Sequence, residues 1–129
     1  MTLRGIRTRG DTKLAALART DGFAVLSRRK LLWLGSVLDR GWISNGAHLA
    51  VRGRRVVQPL IVREGIVLID GAEHQGCVTV GLRATAPAGL SCATVSAGTD
   101  LDVWYVDPRS VNSLVAIVPS LALHEATVP

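Results

Sequence analysis

Residues 55–82 read RVVQPLIVREGIVLIDGAEHQGCVTVGL, and this stretch decides the fold class. Its apolar runs are short and rich in Val and Ile, and the pairs Glu64-Gly65 and Asp70-Gly71 separate them. β-branched residues favour strands, and such Gly-containing pairs between apolar runs are typical of turns. The stretch therefore predicts a series of short antiparallel strands.

The same pattern extends to both sides, with turn signals at a spacing of roughly 8–12 residues that is typical of sandwiches and barrels. The predicted strands are residues 48–51, 55–62, 65–69, 77–82, 91–95, 101–106 and 114–118. Pro59 has no N–H to donate, so we expect its strand at a sheet edge or at a bulge. The predicted fold is mainly β, a small sandwich or barrel of about six to seven short antiparallel strands with one or two N-terminal helices, with α+β as the second choice.

The N-terminal part carries helix signals instead of strand signals. Ser27 is a suitable N-cap for a helix from Arg28 to about Arg40, and Gly41 is a suitable stop. A chain of 129 residues has the usual size of one domain. The predicted organisation is a single domain (1–129) with a basic arm (1–10), a helical segment (11–41) and a β domain (48–120).

Charge is distributed unevenly along the chain. Residues 1–55 hold twelve Lys or Arg and three acids, a net charge of +9, whereas residues 56–129 carry −4, which gives +5 in total. Arg side chains suit phosphate oxygens because their planar fork donates two hydrogen bonds at once. The nucleic-acid-binding candidates are Arg4, Arg7, Arg9, Arg28, Arg29, Lys30, Arg52, Arg54 and Arg55.

This asymmetry favours a non-enzymatic binding or assembly protein whose basic N-terminal part contacts nucleic acid or an acidic protein surface. A homo-oligomeric phage or virion structural subunit fits that description, and no cofactor is expected. One alternative is a small helix-turn-helix regulator that places Arg28, Arg29 and Lys30 in the major groove, with a β-hairpin near residues 50–62 as a wing.

The other alternative is a small hydrolase or nuclease. Asp70, Glu73 and His74 lie within five residues and could supply a general base if they converge in a cleft, whereas a plain hairpin turn would point them apart. His74, Cys77 and Cys92 are candidate metal ligands, although no fourth ligand is evident. Asp100 and Asp102 alternate with apolar residues, which suits a cation site or, more simply, the wet side of a half-buried strand.

The sequence also bears on location. No apolar run approaches the roughly 20 residues of a spanning helix, so we expect no membrane span. Residues 27–32, SRRKLL, are similar to a twin-arginine export signal, but the following apolar stretch is short and Asp39 ends it. Cys77 and Cys92 are expected as buried free thiols, with one ordinary disulfide as the alternative. A cytoplasmic or intravirion location follows.

Overall fold

A computed structural model describes residues 13, 15–17, 19–20, 23–83 and 90–127. Two units are distinguished along the chain, Met1–Val37 and Leu38–Pro129. The basic arm predicted at residues 1–10 lies outside the described residues. None of the described helices is long and apolar enough to cross a membrane.

The first unit contains helix α1, Arg28–Val37. Ser27 caps it as predicted, because the Ser27 carbonyl accepts from the Leu31 N–H at 3.0 Å and the Ser27 hydroxyl accepts from the Lys30 N–H at 3.3 Å. The helix ends three residues before the predicted Arg40, since the chain enters a strand at Leu38. The buried apolar residues of this unit include Ala16, Leu17, Phe23 and Leu34.

The second unit is built from two antiparallel sheets. Its strands are β1 Leu38–Ile43, β2 His48–Ala50, β3 Leu60–Glu64, β4 Ile66–Ile69, β5 Ala72–Gln75, β6 Val78–Val80, β7 Val95–Ala97 and β8 Leu101–Val106. Within the described residues the sheets have the orders β1-β8-β3-β6 and β2-β7-β4-β5. A 3₁₀ turn at Pro108–Ser110, helix α2 at Val111–Ile117 and a second 3₁₀ turn at Pro119–His124 follow. The mainly β prediction is confirmed.

Apolar side chains from both sheets form one core. The first sheet contributes Leu60, Val62, Val78, Val80, Leu101 and Val103, and the second contributes Ala50, Val67, Val95 and Ala97. Ala93 and Ala126 complete this buried cluster. Ala126 belongs to the C-terminal segment, so the end of the described chain is part of the β domain.

The strand predicted at residues 114–118 is wrong, and β1 and β5 were not predicted as strands. Residues 114–118 belong mostly to helix α2, and their burial has helical spacing because Leu114 and Val118 are buried, four residues apart, while Ala116 is exposed. Pro59 does not mark an edge strand, because β3 lies between β8 and β6, but the pairing of β3 with β8 does shift register between Val62 and Glu64, in agreement with the bulge alternative. Pro59 instead precedes the first residue of β3, a place where the missing N–H costs no ladder bond.

Asp102 is not on a wet face either, because it is 4% exposed at the centre of an ion network. Arg40 of β1 donates to both Asp102 oxygens, at 3.3 Å and 2.9 Å, and Arg63 of β3 donates at 2.7 Å. Hydrogen bonding to Asp102 raises the pKa of Arg40. The carboxylate thus joins β1, β8 and β3, three of the four strands of this sheet. A buried charge of this kind is tolerable only when it is paired.

We predict that Asp102→Asn lowers the free energy of unfolding by about 3 kcal/mol, because it leaves two arginines without their shared counter-charge. Chemical denaturation measures this change. The control is Glu73→Gln, an exposed carboxylate on β5, which should change stability by less than about 0.5 kcal/mol. Equal stabilities for the two variants would contradict the assigned role of Asp102.

Gly81, directly after β6, offers a second stability test. Its φ is +78°, and a Cβ there would lie 2.8 Å from Val56 Cγ1 and 3.3 Å from the Pro59 backbone. Gly71 has a similar φ of +85°, but nothing lies within 4 Å of its Cβ position.

Gly71→Ala should therefore cost only the left-handed backbone strain, about 1 kcal/mol. Gly81→Ala adds a steric clash and should cost about 2 kcal/mol more than the Gly71 variant in denaturant unfolding. A Gly81 variant no less stable than the Gly71 variant would show that Val56 and Pro59 do not approach this position.

Candidate functional site

The C-terminal segment 125–127, which we call the strap, lies between the end of β6 and the residues that precede β7. Glu125 forms a parallel bridge with Thr79, and the Ala126 N–H donates to the Thr79 carbonyl at 2.8 Å. On the other side, the Cys92 N–H donates to the Thr127 carbonyl at 2.8 Å. The strap therefore links Thr79 at the end of β6 to Cys92, which precedes β7, through backbone hydrogen bonds.

The Glu125 carboxylate is the centre of this arrangement. Its two oxygens accept separately from the backbone N–H groups of Gly81 and Leu82, each at 2.8 Å. Thr127 donates to the carboxylate through its N–H at 3.2 Å and through its hydroxyl. The Thr79 hydroxyl lies 3.3 Å from Glu125 Oε1, but its shorter hydrogen bond is to the Leu121 carbonyl at 3.0 Å. We call the adjacent Gly81 and Leu82 N–H groups the amide corner, since both point at one anion.

All these donors are electrically neutral. Thr79 and Thr127 are buried, and Glu125 itself is partly buried. Among the described residues, no Lys or Arg lies within ion-pair distance of the Glu125 carboxylate. The charge of Glu125 is therefore balanced by backbone and hydroxyl dipoles, as in anion-binding sites built from successive N–H groups.

The connection from β2 to β3 contacts both the residues that follow β6 and the residues that precede β7. The Ser91 carbonyl accepts from the Gly53 N–H at 2.9 Å, and the Ser91 N–H donates to the Arg54 carbonyl at 2.8 Å. Arg55 bridges to Leu90, and Val56 lies against the Gly81 position. The exposed side chains of Arg54 and Arg55 thus lie on a segment that contacts Ser91 before β7 and the Gly81 position after β6.

Two adjoining grooves open along β2. One has a volume of about 340 Å³ and combines Arg54 and Arg55 with the apolar Leu49 and Val57. The other has a volume of about 400 Å³ and includes the aromatic side chains of Trp42 and Tyr105. Both volumes lie within the range of small-molecule sites. The grooves share His48, Leu49 and Gln58.

The predicted basic site is divided between the two units. Arg28, Arg29 and Lys30 are exposed on α1, whereas Arg52, Arg54 and Arg55 are exposed in the second unit. Arg52 forms an ion pair with Asp70. Arg4, Arg7 and Arg9 lie outside the described residues.

The predicted catalytic residues do not converge. Asp70 lies in the turn between β4 and β5, where its Oδ1 accepts from the Thr94 N–H at 3.0 Å and its Oδ2 pairs with Arg52. Glu73 and His74 are consecutive exposed residues of β5, so their side chains project from opposite faces of the strand. The arrangement is that of a hairpin turn.

The metal candidates are not assembled either. In the described ranges, no group of three His, Cys, Asp or Glu side chains is placed to hold a metal ion. His74 is exposed on β5, and Cys77 and Cys92 are partly buried and form no disulfide. Asp100, considered above for a cation, accepts from the Asn45 N–H at 2.8 Å.

The helix-turn-helix alternative lacks its wing. Residues 50–62 do not form a hairpin, because β2 pairs with β7 in one sheet while β3 pairs with β6 and β8 in the other. Leu32 on α1 is 52% exposed, and the neighbouring Leu34 is fully buried.

Sequence reasoning missed Glu125 altogether. The tail from residue 121 has no clear periodicity, and Glu125 is one acid in a short mixed stretch. Its importance depends on contacts with residues 43 to 46 positions earlier in the chain. The one local signal was Gly81, whose freedom to adopt positive φ suits a close backbone approach.

Solved structures similar to this chain include kinase regulatory subunits and an acyltransferase. The regulatory subunit of a cAMP-independent protein kinase A from Trypanosoma brucei matches with a TM-score of 0.73 and 18% identity, over 92% of this chain and 46% of that one. A mutant form of the cAMP-binding acyltransferase from Mycobacterium smegmatis matches with a TM-score of 0.69 and 20% identity, over 86% of this chain and 37% of that one. PKAR CBD2 with bound Sp-2Cl-cAMPS matches with a TM-score of 0.69 and 14% identity, over 89% of this chain and 85% of that one.

The chain spans less than half the length of the first two proteins. No protein-family model matches the chain, and no curated protein matches it in sequence. At these identities, the structural similarity shows the fold alone.

These comparisons correct the functional interpretation of the sequence. The similar proteins are described as a protein kinase A regulatory subunit, a cAMP-binding acyltransferase and PKAR CBD2 with bound Sp-2Cl-cAMPS, so the predicted nucleic-acid-binding assembly protein is wrong, as are its nucleic-acid or acidic-surface partner and the homo-oligomeric phage or virion subunit built on it. The hydrolase or nuclease and the helix-turn-helix regulator fail with it. The second unit has the β jelly-roll fold of cyclic-nucleotide-binding domains.

Proposed function

We propose that the second unit is a regulatory domain that binds a cyclic nucleotide beside the connection between β6 and β7. The observation that carries this proposal is the amide corner, where two adjacent N–H groups donate to two different oxygens of one anionic group. A cyclic phosphate is a monoanion that also presents two free oxygens. Backbone N–H groups arranged in this way are well suited to receive it.

Other segments of the second unit offer the remaining parts of a nucleotide site. Arg54 and Arg55 provide positive charge on the segment that contacts Ser91 and Gly81. The grooves along β2 offer apolar and aromatic surface for a nucleoside, including Leu49, Val57 and Tyr105. Polar side chains accompany this surface, since His48 and Gln58 line both grooves and Arg54 and Arg55 line one. Sites for small organic ligands combine apolar surface with placed polar groups in this way.

The structural comparisons support the same ligand class. The Mycobacterium smegmatis acyltransferase is described as cAMP-binding, and PKAR CBD2 carries a cAMP analogue. Both descriptions name cAMP or an analogue of it as the ligand, and we extend that ligand class to this chain on the strength of its amide corner.

A second candidate is a domain of the same fold that works without cAMP. The Trypanosoma brucei regulatory subunit is described as cAMP-independent. The Glu125 carboxylate also already fills the amide corner. In this alternative the strap is a permanent part of the domain, and the fold serves as a structural module.

Titration with a fluorescent methylanthraniloyl derivative of cAMP, read by anisotropy, tests the proposed function. We expect saturable binding that unlabelled cAMP reverses and that adenosine, which has no phosphate, reverses at least about tenfold less effectively. Absence of binding to the full chain and to its Glu125→Gln variant would contradict the proposal and favour the cAMP-independent alternative.

The double variant Arg54→Gln/Arg55→Gln tests the charge contribution. It should weaken binding by about tenfold or more, since hydrogen bonds to a charged group contribute about 1.5–3 kcal/mol. Arg109→Gln removes another exposed arginine, in the 3₁₀ turn that precedes α2, and is the matched control, with unchanged affinity expected. Equal affinities in all three proteins would place the phosphate away from the β2–β3 connection.

A further inference from the structure

We propose that the strap is a displaceable internal ligand, and that its docking and the binding of a phosphate-bearing ligand exclude one another. The inference rests on the proposed function for the identity of that ligand. Its basis is geometric: the Glu125 carboxylate takes both N–H donors of the amide corner, one on each oxygen. Each backbone N–H has one hydrogen to donate, so a second anion cannot use the same pair while Glu125 is in place.

The chemistry of the contacts makes Glu125 exchangeable. Asp102, the other enclosed carboxylate, neutralises two arginines, and its departure would leave both without their counter-charge. Among the described residues Glu125 faces only N–H and hydroxyl donors. If Glu125 leaves, an incoming phosphate or water can satisfy these donors, and no charge is left unpaired.

The rest of the strap is attached by few groups. Ala126 contributes one methyl group to the core, and two backbone hydrogen bonds link the strap to Thr79 and Cys92. Just before the strap, Leu123 is 81% exposed and His124 is exposed, whereas Leu121 is buried. The chain can therefore lift from a point after Leu121 while removing little apolar surface from the core.

Displacement has a consequence for regulation. Occupation of the amide corner by a ligand would release the strap and the sequence joined to it. Ligand binding would therefore change the position of the strap, and docking of the strap would lower the affinity for the ligand. A ligand that binds only the released state pays for strap removal, which lowers its apparent affinity by the fraction of released molecules.

The first test compares the full chain with Glu125→Gln, which keeps the side-chain shape, removes the charge and directs an NH₂ group at N–H donors. Anisotropy with methylanthraniloyl-cAMP should show at least tenfold tighter binding to the variant. Glu73→Gln, an exposed glutamate on β5, is the control and should bind like the unaltered chain. Equal binding by all three proteins would overturn the strap proposal while leaving the proposed function intact.

The second test needs no ligand. Amide hydrogen exchange in Glu125→Gln should accelerate at least tenfold at Ala126 and Cys92, whose N–H groups hold the strap, while Trp104 in the centre of β8 is unchanged. Such local opening supports the proposal even if neither protein binds the nucleotide, in which case only the cyclic-nucleotide function fails. Exchange that is unaltered, or that accelerates equally at Trp104, would overturn it.

Discussion

A carboxylate drawn partly out of water needs hydrogen-bond donors, and the way Glu125 meets this need organises the second unit. Its oxygens accept from the Gly81 and Leu82 N–H groups and from the N–H and hydroxyl of Thr127. These contacts tie the end of β6 to the C-terminal segment and, through Thr127, to the start of the region before β7. Without this anion, two adjacent amides at the exit of β6 would require water or another acceptor.

The two enclosed carboxylates of the domain divide structural and functional roles. Asp102 fixes β1, β8 and β3 through two arginines, so its charge cannot be exchanged without unpairing others. Glu125 lies at the opposite edge strand of the same sheet, β6, and uses neutral donors only among the described residues. A rigid ion network on one side and a replaceable anion on the other suit a domain that must keep its fold while its ligand changes.

Sequence reasoning reached the fold class but not the site. Short runs of Val and Ile between Gly turns predicted most of the strands, and residues 101–106 were placed to the residue, but β1 and β5 have no such run and were not predicted. The strand predicted at residues 114–118 was wrong because a five-residue apolar run fits a buried strand and a helix face equally well. Asp102 was misread because alternation cannot reveal that Arg40 and Arg63 lie beside it, and Glu125 because its donors are distant in sequence. The uneven charge distribution led to a wrong functional prediction, because net charge bears on possible partners and not on the fold.

The most direct test of this account is NMR detection of scalar couplings across the hydrogen bonds to the side-chain carboxyl carbon of Glu125. The account predicts correlations from the Gly81 and Leu82 amide nitrogens to this carbon in the ligand-free chain, and their loss when cAMP saturates the domain. Correlations that are absent from the free chain, or that persist at saturating cAMP, would contradict the claim that Glu125 occupies the site of the ligand anion.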